Sequence, residues 1–222
     1  MRFSFSCLAF YSAGLLISAS QAVYSASPVI TNGVAAVAAG DGFTAYLEAN
    51  GSLYIAGNNQ SGQLGDGSTT SRSTFGFVTS DVSLIACGTN YILFVKTNGS
   101  LWGMGDNYFG QFGDGSTTGA SVPKQILASG VAGVSAGASH SLILKTDGSL
   151  WSVGLNITGQ LGDGSTLDRS DPFRVVDSAV VSASAGDGHS LFVKADGSLW
   201  GMGSSWAGAL GTGTENDVYY DE

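Results

Sequence analysis

Two histidines, three glycine-flanked aspartates and one cysteine are the side chains whose types could do chemistry. His140 and His189 lie in the same local context, Ala136-Gly137-x-x-His140-Ser141 and Ala185-Gly186-x-x-His189-Ser190, 49 residues apart. Two imidazoles fall short of the three or more protein ligands that zinc usually takes. No adjacent base and nucleophile mark a catalytic centre, so hydrogen bonding within the fold is their expected role. Asp66, Asp114 and Asp163 each stand in a Gly-Asp-Gly-Ser-Thr loop. One carboxylate per loop is far from the six to eight oxygens that calcium requires, and aspartate between glycines is a common turn device. No Gly-Lys-Ser/Thr follows, so these loops are not phosphate cradles. Cys87 occupies a position filled elsewhere by Ala39, Ala136 and Ala185, which predicts a small buried residue rather than a nucleophile. No cofactor or metal is expected, and no catalytic residue is assigned.

The elements that must position these residues recur along the chain. Asn50-Gly51-Ser52-Leu53-Tyr54, Asn98-Gly99-Ser100-Leu101-Trp102, Asp147-Gly148-Ser149-Leu150-Trp151 and Asp196-Gly197-Ser198-Leu199-Trp200 follow one another at 48, 49 and 49 residues. Three glycines hold the register: Gly40, Gly88, Gly137 and Gly186; Gly51, Gly99, Gly148 and Gly197; Gly62, Gly110, Gly159 and Gly208. The first two intervals are always 11 residues and only the last varies, from 26 to 27, so it holds the tolerant loop. Short Val/Ala/Ser runs before the first glycine predict a strand packed where space is scarce. A second strand, such as His140 to Lys145, ends in Asn-Gly or Asp-Gly, a dipeptide that predicts a type I′ hairpin. A third strand returns through Ser-Leu-aromatic, and a fourth begins at a proline, as at Pro123 and Pro172. Four antiparallel strands per repeat make a blade that cannot cover its own two apolar faces. The fold class is therefore all-β, a β-propeller of about four blades with the narrow strand nearest the axis.

Composition agrees with that reading and excludes several functions. The 222 residues include 34 glycines and 3 prolines, and 43% are hydrophobic. With 8 basic against 17 acidic residues the net charge is −9, and the basic side chains are scattered singly, which disfavours a nucleic-acid partner. Residues 1–22 read as a secretory signal peptide, with Arg2, an apolar run from about Phe5 to Ile17, and Ser20-Gln21-Ala22 before the cut. Cleavage after Ala26 fits as well. A secreted or periplasmic location follows, with no membrane attachment once the leader is removed. Residues 23–222 form the propeller. Asn50, Asn59, Asn98 and Asn156 begin Asn-x-Ser/Thr acceptor patterns, and the turn already accounts for Asn50 and Asn98.

The Gly-His and Trp-Asp pair of WD repeats and the double glycine of kelch repeats are absent. Instead Ala136-Gly137-x-x-His140-Ser141, Asp147-Gly148-Ser149-Leu150-Trp151 and Gly154-Leu155-Asn156-x-x-Gly159-Gln160-Leu161-Gly162-Asp163-Gly164 resemble the repeat of the regulator of chromosome condensation family. The resemblance runs over about residues 28–213. The family's tryptophan is replaced by Ala56, Met104, Val153 and Met202, with the aromatic two places earlier, and the fourth repeat degrades to Gly208-Ala209-Leu210-Gly211. The resemblance implies a ring of about seven blades, which makes this chain an incomplete propeller, read as a fragment of a longer ring. Self-association through open blade faces is the second expectation.

Within each repeat the long loop changes most. Around Asn59, Asn107, Asn156 and Ser205, the preceding slot holds Asn58, Asp106, Leu155 and Ser204, and the following slot holds Gln60, Tyr108, Ile157 and Trp206. Fixed positions build a blade and variable ones face solvent, so Asp106, Asn107, Tyr108, Phe109, Asn156 and Trp206 are the candidate binding residues. The expected function is an exported, non-enzymatic scaffold that binds a protein or glycan through loops on one face. The alternatives are an enzyme, alone or as part of a longer chain, and, by the family resemblance, nucleotide exchange on a small GTPase.

Overall fold

The computed structural model describes residues 29–30 and 32–213; the leader read at residues 1–22 lies outside them. Blade 1 consists of β1 (Val34–Ala39), β2 (Phe43–Glu48), β3 (Leu53–Gly57) and β4 (Arg72–Thr79). Blade 2 comprises β5 (Val82–Cys87), β6 (Tyr91–Lys96), β7 (Leu101–Gly105) and β8 (Ala120–Leu127). Blade 3 follows with β9 (Val131–Ala136), β10 (His140–Lys145), β11 (Leu150–Gly154) and β12 (Arg169–Val176), and blade 4 with β13 (Val180–Ala185), β14 (His189–Lys194) and β15 (Leu199–Gly203). Every pairing is antiparallel and every sheet runs in chain order, four strands in the first three blades and three described strands in the fourth. Apart from a single 3₁₀ turn at Trp206–Gly208, the described elements are all strands. Among the described residues no helix is long and apolar enough to cross a membrane.

The core lies between blades. Tyr91, Leu93 and Val95 of β6 pack toward Val131, Ile143 and Val153 of blade 3, while Ile92 and Phe94, the alternate residues, pack toward Leu47, Leu53 and Ile55 of blade 1. Alternation with a period of two puts successive side chains on opposite faces, so a middle strand that is apolar at every position must be covered on both sides. The interface between blades 3 and 4 repeats the pattern with Leu142, Leu150, Val175, Phe192 and Met202. Fully burying a side chain of this size contributes about 1.5–3 kcal/mol. An isolated blade would lose that term on both faces.

At the axis, backbone meets backbone. The inner strands β1, β5, β9 and β13 lie against one another in succession, and a Cβ added at Gly40, Gly88 or Gly137 would come within 2.5 to 2.6 Å of the carbonyl oxygen of Gly88, Gly137 or Gly186 respectively. One residue on, Asp41 N–H donates to the Thr89 carbonyl at 3.0 Å and Thr89 N–H to the Ala138 carbonyl at 3.2 Å. The Cys87 thiol beside this seam is pushed up to about 12 by burial, so it is not poised as a nucleophile at neutral pH.

Two local expectations are corrected. The Asn/Asp-Gly turns are not type I′. Gly51, Gly99, Gly148 and Gly197 have φ between 77° and 86°, but the preceding Asn50, Asn98, Asp147 and Asp196 are not among the residues with positive φ. Gly51 N–H donates to the Glu48 carbonyl at 2.9 Å and Glu48 N–H to the Ser52 carbonyl at 2.9 Å, the pattern of a three-residue loop in which glycine closes a type I turn as a bulge. The side chain favours this form because Asn50 Oδ1 accepts the Ser52 N–H at 2.9 Å, as Asp147 Oδ1 accepts that of Ser149. In repeats 2 to 4 the serine hydroxyl also donates to that oxygen and accepts the Nε1–H of Trp102, Trp151 or Trp200 at 2.8 to 2.9 Å. The prolines, expected at strand starts, stand inside β8 and β12. Both are outer edge strands with a break in register next to the proline, where a missing donor interrupts no ladder.

The axial contact predicts that Gly137→Ala destabilises the protein by about 2 kcal/mol or more, because the methyl would overlap a backbone that cannot move aside. Gly133→Ala in the same strand, where the added atom makes only ordinary contacts at 3.5 Å or more, should stay within about 1 kcal/mol. Urea unfolding of the two variants checks the difference.

Candidate functional site

Each long loop between the third and fourth strands of a blade is held by one buried asparagine. Asn107 Oδ1 accepts the Phe112 N–H at 2.8 Å, while its Nδ2 donates to the carbonyls of Ser116 at 3.0 Å and Thr118 at 3.2 Å. Asn59 and Asn156 do the same with Leu64, Ser68 and Thr70, and with Leu161, Ser165 and Leu167. Gln63, Gln111 and Gln160 add a second tie, each accepting the N–H two residues earlier through Oε1 at 2.9 to 3.0 Å. An asparagine amide buried and satisfied on both ends is costly to displace, so these three loops are stiff despite their length.

The aspartates complete the clamp. Asp66, Asp114 and Asp163 accept from the N–H and hydroxyl of Ser68, Ser116 and Ser165, and they form ion pairs with Arg72, Lys124 and Arg169. The Ser68 hydroxyl is the main reason the Asp66 carboxyl is held below the usual range. Burial pushes Asp114 and Asp163 upward, but the hydrogen bonds from Lys124 and Arg169 and from the serines outweigh it and lower both. Each carboxylate is thus already engaged by protein donors. Among the described residues no three His, Cys, Asp or Glu side chains converge as metal ligands.

The residue after the clamping asparagine, and after Ser205 in the fourth repeat, points outward. Gln60, Tyr108, Ile157 and Trp206 stand at the same repeat position and all four are exposed, Tyr108 by 71%, Ile157 by 65% and Trp206 by 83%. Tyr108 and Phe109 meet edge to face at 5.0 Å. Asp106 is engaged within its loop, accepting from the Tyr108 N–H and from Gln111 Nε2 at 3.1 Å. Between the loops of blades 3 and 4 lies a cleft of about 470 Å³ whose walls include Leu155, Ile157, Thr158, His189 and Trp206.

Of the six residues singled out from sequence, Tyr108 and Trp206 present exposed rings, Phe109 is half-buried beside Tyr108, and Asp106 is half-buried. The side chains of Asn107 and Asn156 are fully buried; their place is inside the clamp, and the outward position belongs to their neighbours. The same burial removes Asn59 and Asn156 from the accessible glycosylation acceptors. Trp206 shares the cleft with Leu155 and Ile157, while Tyr108 and Phe109 belong to the next loop along. Leu155, Ile157, Thr158 and His189 were not singled out as contact residues. The signal for Leu155 and Ile157 was present in the two variable slots they occupy.

The two histidines differ. His140 is buried, and because Ser190 Oγ donates to the Gln160 carbonyl at 2.8 Å, His140 Nε2 carries the hydrogen in its 2.9 Å contact with that hydroxyl. Its Nδ1 is buried without a partner. Tyr91 fills the same slot in repeat 2, its hydroxyl 3.0 Å from Ser141 Oγ. These residues tie each blade to the next, whereas His189 is half-buried on the cleft wall.

Sheets in chain order, an axis of glycines and clamped loops define the class of protein: a β-propeller built from glycine-anchored repeats. The sequence pattern described as the regulator of chromosome condensation (RCC1) repeat matches residues 50–95, 98–144 and 147–193, and a second pattern of the same description matches 34–63, 82–111 and 131–160. The chain belongs to this family. No curated protein matches it significantly in sequence. Among solved structures it is similar to human WBSCR16, with 22% identity and a TM-score of 0.78 over 87% of this chain and 53% of that one. It is similar also to yeast RCC1 (Prp20) bound to Kap60, at 25% identity and a TM-score of 0.75, covering 87% of this chain and 49% of that one. A structure of Prp20p from Saccharomyces cerevisiae, described with its binding to Gsp1p and histones, matches at 24% identity and 0.75, over 87% and 51%. The chain therefore spans about half the length of these solved relatives.

Burial, and after it the neighbouring His189, lowers His140 to about 4, against about 6.5 in an unfolded chain. The unfolded state then binds the proton more tightly. Stability from this residue is fully present above pH 6.5, falls as the pH drops toward 4, and is gone below that. His140→Tyr, which installs the residue of repeat 2, should abolish the loss between pH 6.5 and 4 in urea unfolding while leaving the steeper carboxylate-driven loss at lower pH. An unchanged slope in the variant would contradict the assignment.

Proposed function

We propose that this protein is an exported, non-enzymatic scaffold that binds a protein partner through the loop face formed by Tyr108, Phe109, Ile157 and Trp206. The observation that carries the reading is the contrast within the loops: a buried Asn and Gln pair in blades 1 to 3, and buried Ser205 in blade 4, precede or flank one outward position whose residue changes from blade to blade. Large rings held on a stiff frame lose little conformational freedom on binding, which is what makes aromatic side chains effective contact anchors. Polar groups such as Gln60 and Ser204 would form the rim. Export is supported by the leader pattern at residues 1–22. A protein partner is supported by the complex of the similar yeast propeller with Kap60.

Nucleotide exchange on a small GTPase is a second reading, favoured by the likeness to Prp20p, whose structure is described with binding to Gsp1p. The leader pattern stands against it.

Immobilised protein should enrich a specific extracellular partner, and Trp206→Ala or Tyr108→Ala should weaken that complex by roughly 30-fold or more, the scale of an interface hot spot. Phe77→Ala, exposed on the outer strand β4 of blade 1, should leave it unchanged. Binding that survives both ring deletions, recognition of glycans alone, or acceleration of GTPase nucleotide release would each displace this reading.

A further inference from the structure

The aspartates at the loop end of the blades are of two kinds. Asp66, Asp114 and Asp163 recur at one position in blades 1 to 3, and each is paired with a basic side chain of its own blade, Arg72, Lys124 or Arg169. Asp106, Asp168 and Asp171 do not recur, and among the described residues none of them has an ion-pair partner. The fold does not require their charge. Asp106 Oδ1 accepts the Tyr108 N–H at 3.1 Å, as neutral Asn58 accepts the Gln60 N–H at 3.1 Å in blade 1. Asp168 Oδ1 accepts the Asn156 N–H at 2.7 Å, a task that the Ser71 hydroxyl performs for Asn59 at 3.1 Å. Asp171 stands exposed where β4 has Thr74 and β8 has Val122.

All three carboxylates adjoin the apolar groups of blades 2 and 3, each of which has a described blade on either side. Asp106 shares a turn with Tyr108, and Asp168 is bonded to the residue before Ile157. The loop of Tyr108 rests on β12, its Gly115 N–H donating to the Ser170 carbonyl at 3.0 Å, and a Cβ at Gly115 would lie 3.2 Å from Asp171 Oδ1. Arg72, Lys124 and Arg169 are held in the clamps. The remaining lysines of the blades stand at the opposite, hairpin end: Lys96, Lys145 and Lys194 lie over Trp102, Trp151 and Trp200, 4.2 to 5.1 Å from the ring. Lys145 and Lys194 there act on Asp147 and Asp196. The charge left over beside the rings is negative.

We propose that the partner of this loop face is a cationic polypeptide surface, rich in arginine and lysine, and that Asp106, Asp168 and Asp171 select it. The inference rests on the loop face proposed above as the binding surface. Tyr108, Phe109 and Ile157 cover the aliphatic stems of the partner's basic side chains, and the carboxylates receive the guanidinium or ammonium groups at their tips. An exposed ring also attracts a cation over its face. Unpaired charges beside an apolar patch chiefly speed encounter and reject partners of like sign.

The test is the affinity of the purified protein for three synthetic peptides of equal length and apolar content, one rich in arginine and lysine, one uncharged and one rich in glutamate. Wild type should bind the cationic peptide and not the glutamate-rich one, with an association rate that falls as salt is raised. A loop-end triple variant, Asp106→Asn, Asp168→Ser and Asp171→Thr, installs the residues of blade 1 and should weaken that binding by about 10-fold or more. A hairpin-end triple variant, Asp81→Asn, Asp147→Asn and Asp196→Asn, changes the net charge equally and should bind as wild type does. Its fold is safe, because asparagine holds the hairpin position in blades 1 and 2 and tolerates the φ of 62° at position 81. Equal losses in the two triple variants would reduce the effect to net charge and overturn the inference, as would a cationic peptide that fails to bind. An uncharged peptide bound as tightly through Tyr108 would overturn it while leaving the loop face as the binding surface. Cationic binding untouched by Tyr108→Ala would remove the loop-face reading as well.

Discussion

Everything in this structure depends on how closely one backbone approaches another at the axis. Gly40, Gly88 and Gly137 each lie against the carbonyl of the next glycine in the series at a distance that leaves no room for a side chain. That contact brings the inner strands together and sets where each middle strand can bury both of its faces. It also aligns the valine that receives the hairpin of the preceding blade. The same atoms recur at every seam, so the blades are nearly equivalent bodies joined by nearly equivalent interfaces. Stability then accumulates from neighbour to neighbour, as in other repeat architectures.

What could be read from sequence follows from that equivalence. Three glycines per repeat at constant spacing, an apolar second strand and the Ser-Leu-aromatic return were enough for the blade, its strand order and the family. The misreadings are local and have local causes. Asn-Gly and Asp-Gly favour more than one hairpin form, and here a side-chain oxygen accepting the serine N–H two residues on selects the bulged one. Pro123 and Pro172 begin no strand because an outer edge with broken register tolerates them internally. Asn107 and Asn156 look like surface residues by type. Only the folded loop reveals that each amide bridges five to eleven residues of its own chain.

The candidate site inherits its properties from those buried amides. A propeller loop becomes a binding surface when its frame is stiff and its outward residue is free to vary. In blades 1 to 3 the frame is made of asparagine, glutamine and an aspartate paired with a nearby basic side chain, and in the loop of Trp206 buried Ser205 takes the asparagine's place. What remains on the surface is shape and apolar area: Tyr108 against Phe109 in one loop, and Ile157 and Trp206 around a cleft in the next two.

Amide hydrogen exchange tests the rigidity of this frame most directly. The amides of Leu64, Phe112 and Leu161, each bonded to a buried asparagine oxygen, should exchange as slowly as those of β6 and β10, opening only when the blades themselves unfold. Exchange of these three amides at the rate of a freely opening loop, with the strands still protected, would show that the loops are not held by the clamps. The account of a rigid, loop-presenting propeller would then be wrong.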